Sequence, residues 1–181
     1  MDVKIHKNGK KLVKESVWNK IPDAINMFID YHNLNSYKVP VYITFERGDI
    51  FQKDSLGEVN TKFTFSCFMY FKPKSFIIFI DPTQSEKELM NTIFHEFTHV
   101  KQYCTRQMSI SYTKGFSVWE GKHFRSVNGE DIELYKNAPW EIDARNTADK
   151  MIDIWKKGYT VDKSKSNILT KFKNCIIDYF K

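Results

Sequence analysis

The sequence predicts an α+β fold: a small, mostly antiparallel sheet packed on two long helices. Three observations predict it. Runs rich in β-branched and aromatic residues crowd between positions 40 and 80 and are separated by Gly, Asn, Pro and Asp. Two amphipathic stretches of helical period follow them, one ending near Cys104 and one opening at Pro139. The chain has 181 residues, 41% hydrophobic and 15% aromatic, with only 7 Gly and 5 Pro, which suits one domain with a single core and leaves little room for disorder.

The elements are expected in this order. Residues 3–14 alternate loosely around Asn8-Gly9, a turn signal that favours a short hairpin. From Ser16 to about Asn33, Val17, Trp18, Ile21, Ala24, Ile25, Phe28 and Ile29 recur at steps of three and four, the mark of an amphipathic helix with Pro22 near its first turn. Strands are expected at Val41–Phe45, Lys62–Phe71 and Phe76–Ile80. Ser85-Glu86-Lys87-Glu88 has the spacing of a capping box, in which a serine hydroxyl and a glutamate three residues on satisfy each other's backbone donors, so a helix should run from here to about Cys104. The stretch 105–138 reads as irregular, with a hairpin around Phe116–Phe124. A helix from Pro139 to just before Gly158 and a last one from Ser164 or Ser166 to Phe180 complete the chain. The expected organisation is one domain over 1–181, its core spanning about 16–158, with terminal extensions at 1–15 and 159–181.

Bulk properties exclude several functions. The net charge of +6 comes from lysines scattered near both ends, without the interleaved aromatic residues of a base-stacking platform, so nucleic acid is not the expected partner. Cys67, Cys104 and Cys175 are odd in number and never in a C-x-x-C pair, which suggests neither a disulfide framework nor a thiolate metal site. No signal-like or membrane-spanning apolar run is present, and the expectation is a soluble protein of the cytoplasm.

The chemistry lies at His95-Glu96-Phe97-Thr98-His99, an H-E-x-x-H motif. On a helix, residues four apart differ by only ~40° around the axis, so the two imidazoles face one way and can bind one Zn²⁺. Glu96 is turned ~100° from His95, suited to act as general base on a water at the metal without occupying the metal itself. Leu89, Ile93, Phe97, Val100 and Cys104 form an apolar stripe, and Glu88, Thr92, His95, His99 and Gln102 a separate polar one. A catalytic zinc needs a third protein ligand. The three-histidine pattern H-E-x-x-H-x-x-G-x-x-H fails, because Gln102 stands at its Gly and Thr105 at its last His. Along the later helix, Glu141 shares a face with Ala144, Ala148, Met151 and Trp155, whereas Asp143 groups with Asn146, Thr147, Lys150 and Lys157 on what reads as the solvent face. A carboxylate on a buried face is costly unless paired or metal-bound, which points to Glu141 as third ligand, with His123 or another carboxylate as alternatives.

Three segments, HEFTHVKQY (His95 to Tyr103), WEGK (Trp119 to Lys122) and PWEIDAR (Pro139 to Arg145), resemble the small gluzincin-type zinc metallopeptidases encoded widely in bacteriophage genomes. The resemblance covers about residues 40–155. More distantly, Glu141 to Ala144 is similar to the E-x-x-A element of intracellular gluzincins, many of which continue with Asp where this chain has Arg145, so the likeness supplies no orienting partner for the histidines. It implies a minimal zincin fold, the small sheet packed on the H-E-x-x-H helix and a second metal-bearing helix. It supplies no substrate; from the site itself one zinc per chain and a protein or peptide substrate are expected, and, for a viral protein, the host cytoplasm as location.

The expected activity is that of a zinc metalloendopeptidase: Glu96 removes a proton from water and passes it to the leaving amine, and the oxyanion takes a donor from Tyr135, His123 or Arg145. The alternative is a zincin-fold binding or regulatory module with little proteolysis, acting on a host protein. The intact Glu96 argues for the enzyme.

Overall fold

The computed structural model describes residues 1–46, 57–64, 72–110, 116–125 and 132–158. Strand β1 (Asp2–Ile5) leads through three short helices, α1 (Gly9–Leu12), α2 (Glu15–Trp18) and α3 (Ile21–Tyr31), and a 3-10 turn at Leu34–Ser36 into β2 (Pro40–Phe45). Strands β3 (Gly57–Thr64) and β4 (Lys72–Ile80) precede the long helix α4 (Glu86–Cys104). Then come β5 (Met108–Ile110), β6 (Phe116–Trp119), β7 (Lys122–Arg125), α5 (Ile132–Lys136) and α6 (Pro139–Lys156).

The larger sheet has the order β1-β2-β4-β3. Its β1–β2 and β2–β4 pairings are parallel and only β3–β4 is antiparallel, so this sheet is mixed where a mostly antiparallel one was expected. The cause is topological: helices α1 to α3 form a crossover between β1 and β2, a connection that serves parallel neighbours. The antiparallel pattern holds in the smaller sheet, β5-β6-β7.

Three expectations in the first half are corrected. The stretch around Asn8-Gly9 is no hairpin: Asn8 is right-handed helical, at φ −55° and ψ −36°, and its side-chain amide donates to the Phe45 carbonyl at 2.8 Å. Residues 2–5 are consequently a sheet edge, with Val3 buried in the core opposite Val41, in a segment read as a terminal extension. The single helix expected from Ser16 is broken into α2 and α3, the latter carrying Pro22 in its first turn. Strand β3 begins before Lys62, and the rest of the Lys62–Phe71 expectation, like the final helix, lies outside the described residues.

Alternation builds the core. Val41, Ile43 and Phe45 of β2 and Phe76, Ile78 and Ile80 of β4 are buried in register, while Ile77 and Phe79 on the other face are only half-buried. On the buried side Phe28 of α3 stacks with Phe94 and meets Phe97 edge-on, both from α4. A second, smaller apolar cluster unites Met108, Trp119, Ala138 and Trp140. The hairpin expected around 116–124 is β6–β7; its turn puts Glu120 at φ 47° and Gly121 at φ 79°, the left-handed region where glycine is at ease.

The capping box forms as read: the Ser85 hydroxyl accepts from the Glu88 amide at 3.4 Å and the Glu88 carboxylate accepts from the Ser85 amide at 3.0 Å. Helices α4 and α6 pack antiparallel. Asn91 donates to Asp149 at one end of the seam, and Gln102 donates to the Trp140 carbonyl near the other. Among the described residues, no helix is long and apolar enough to cross a membrane.

Candidate metal centre

One helical turn brings His95 and His99 together. Their rings meet edge to face with centroids 4.8 Å apart, and their Nε2 atoms are 3.2 Å from each other. Pro139 in the first turn of α6 and the extended Ala138 before it start that helix where Glu141 points at α4. Glu141 then straddles the pair, Oε2 at 3.3 Å from His95 Nε2 and Oε1 at 3.3 Å from His99 Nε2. All three ligand atoms lie within 4.8 Å of one another.

These spacings suit a small tetrahedral ion. Donors held ~2.0–2.1 Å from a zinc centre at the tetrahedral angle sit about 3.3 Å apart, and two imidazoles with one carboxylate are a donor set zinc accepts. Two nitrogen lone pairs facing each other at 3.2 Å repel unless a proton or a cation lies between them. The cluster can therefore hold a metal ion.

Burial sharpens the electrostatics. Glu141 is only 4% exposed, which raises a carboxyl's pKa, yet the hydrogen bond to His95, the nearby His99 and a hydrogen bond from Tyr135 outweigh this and leave it lowered. Burial pulls His95 down, but the hydrogen bond to Glu141 and the charges of Glu96 and Glu141 turn the net shift upward. The more deeply buried His99 stays lowered by burial despite the attraction of Glu141.

Glu96 is buried and stands outside the ligand triad, but close enough for its charge to act on both His95 and Tyr135. Tyr135 donates its hydroxyl to Glu141 while 42% of its surface stays exposed, and burial of the phenol with the carboxylate charge pushes its pKa up. Arg145 is exposed, donates to the Lys136 carbonyl, tying α6 to α5, and exerts its charge on His95. His123 is not brought to the cluster as a ligand: it is exposed on β7, edge-on to Phe116. Among the described residues Cys104 has no disulfide partner, and burial pushes its thiol up to about 11; the other two cysteines lie outside the described residues.

Sequence reasoning missed one participant and misplaced another. Gln102, fully buried, lies with Oε1 2.9 Å from His99 Nδ1 and donates from Nε2 to the Trp140 carbonyl at 2.9 Å and to Asp143 Oδ2 at 3.0 Å. Asp143 was expected on the solvent face; it faces α4, where Lys101 also approaches it at 3.6 Å. The signal for Gln102 was its place on the polar stripe of α4, three residues after His99.

Comparison with family models, with curated proteins and with solved structures finds no match. What marks this chain is the buried His95, His99 and Glu141 cluster itself, set on two antiparallel helices and able to bind a metal ion.

Proposed function

We propose that the chain is a zinc metalloendopeptidase of the gluzincin type, cutting peptide bonds in a protein substrate. The observation that carries this reading is the spacing of His95, His99 and Glu141, with the buried Glu96 one residue beyond the first ligand. Zinc held by these three residues supplies Lewis acidity, which acidifies water and polarises a carbonyl. Glu96 takes the proton of the attacking water and returns it to the leaving amine. The oxyanion needs a donor, and Tyr135, whose hydroxyl reaches Glu141 beside the cluster, supplies one by turning its single O–H from that carboxylate to the oxyanion. Arg145 adds positive charge at the His95 side, while His123 on β7 is the weakest of the three candidates.

Glu96→Gln tests the reading, because it keeps shape and hydrogen bonding but removes the base. Zinc content should stay at that of the wild type, while cleavage of unfolded protein substrates should fall on the order of 10³-fold. Cleavage by Glu96→Gln within about threefold of wild type would show that Glu96 is not the base.

A further inference from the structure

We propose that Gln102 is the positioning residue that fixes the tautomer and aim of His99, anchoring that ligand to α6. The role in metal binding rests on the zinc reading above; the geometry behind it does not.

The Gln102 amide nitrogen faces the Trp140 carbonyl at 2.9 Å and an Asp143 carboxylate oxygen at 3.0 Å, and both groups only accept. A flipped amide would set oxygen against both. The amide oxygen therefore faces His99, and because it accepts only, the nitrogen it meets at 2.9 Å must carry hydrogen. A neutral imidazole has one N–H, so Nδ1–H of His99 leaves a lone pair on Nε2, the atom turned toward His95 and Glu141. Both amide hydrogens and the amide oxygen of this fully buried side chain are thereby satisfied.

The anchor reaches further than one pair. Lys101 approaches Asp143 from the same end of α4, so a run of polar contacts, Lys101 to Asp143 to Gln102 to His99, joins the helix bearing two ligands to the helix bearing the third. A change in the spacing of α4 and α6 would turn the His99 ring. A glycine at this position, as in the three-histidine pattern, could do none of this.

The competing account is that Gln102 is only a staple between helices. Two variants distinguish them. Gln102→Met keeps the length but removes the acceptor for Nδ1–H. Gln102→Glu combined with Asp143→Asn keeps an acceptor on the His99 side and moves the amide to α6, while losing the donor to the Trp140 carbonyl. Zinc affinity is measured by chelator competition, folding by melting of the metal-free chain, and the His99 Nδ1–H proton by NMR of the zinc-loaded protein. Gln102→Met should weaken zinc binding about 10–100-fold and speed solvent exchange of that proton. The double variant should also melt lower, yet return zinc affinity to within about threefold of wild type and keep the slow proton. Affinity that simply follows melting temperature in both variants would overturn the proposal. His99→Ala separates it from the zinc reading. If His99→Ala loses zinc and Gln102→Met binds like wild type, only the role of Gln102 falls; if His99→Ala binds zinc undiminished, the metal assignment falls and the role with it.

Discussion

The two ends of the α4–α6 seam use the same pair of helices and opposite chemistry. Toward the end of α6, Ala148, Met151 and Ile152 are buried in the core cluster that also holds Leu89, Met90 and Ile93 of α4. Toward its start, His99, Gln102 and Glu141 are just as buried, but polar, and they meet through directed contacts. Apolar burial is non-directional and sets how closely the helices approach; the polar end costs desolvation and gains nothing unless its partners meet at the right distances. The difference teaches that cohesion and chemistry are divided along a single seam. The apolar end holds the frame that the polar end needs.

Breaking the polar end should remove metal and leave the frame. With zinc present at about 1,000 times its dissociation constant, binding stabilises the native chain by about 4 kcal/mol, which raises melting by roughly 8–16 °C in a chain of this size. Glu141→Ala should abolish that zinc-induced rise and the one-per-chain stoichiometry, while the metal-free protein melts close to wild type. Calorimetry with and without zinc checks it, and a surviving rise would remove Glu141 from the ligand set. Cutting into the apolar end should do the reverse. Met151→Ala empties part of a fully packed site and should cost about 3 kcal/mol of folding stability. Zinc affinity of the chain that remains folded should change less than about threefold, and a larger fall would show that the two ends are not independent.

The smallest expected effect lies outside the seam and is read by pH. His32, after the last turn of α3, packs on Phe28 and Tyr31, and burial, with the charges of Lys101 and Lys150, lowers its pKa to about 4. Its Nε2 is buried and, among the described residues, meets no hydrogen-bond partner. The unfolded chain, in which the imidazole keeps a pKa near 6.5, therefore takes up a proton first as pH falls, so stability is full above that value and declines between about 6.5 and 4. Allowing for solvent screening of a half-buried ring, the loss by pH 5 is about 1 kcal/mol. Urea unfolding at pH 7 and pH 5 should show His32→Gln less acid-sensitive than wild type by that amount. Equal pH dependence in both would mean that His32 is not the group responsible.

What was legible in the sequence was local. The Ser85–Glu88 box, the one-turn spacing of His95 and His99 and the buried face holding Glu141 depend on neighbours within a few residues, and all three appear in the structure. What failed was decided at a distance. Asn8-Gly9 carries a turn signal, but the Asn8 amide is drawn to Phe45, 37 residues away. The four residues of β1 become a strand only because β2 lies beside them in parallel. Asp143 sits at the flank of its helix, where period alone cannot say whether another helix arrives, and Lys101 and Gln102 arrive from α4. The role of Gln102 was hidden for the same reason.

The ligands also come from opposite ends of a long excursion. Between the end of α4 at Cys104 and the start of α6 at Pro139 the chain passes through β5, β6, β7 and α5 before α6 returns to lie against α4. Loop closure grows slowly with length, each doubling costing only about 0.6 kcal/mol. The excursion is nevertheless tied back to the start of α6, by Met108 and Trp119 against Ala138 and Trp140, by Tyr135 to Glu141 and by Arg145 to the Lys136 carbonyl. Length is therefore cheap in the spans between these tie points and expensive at them: the same excursion that surrounds the cluster also braces the helix that carries Glu141.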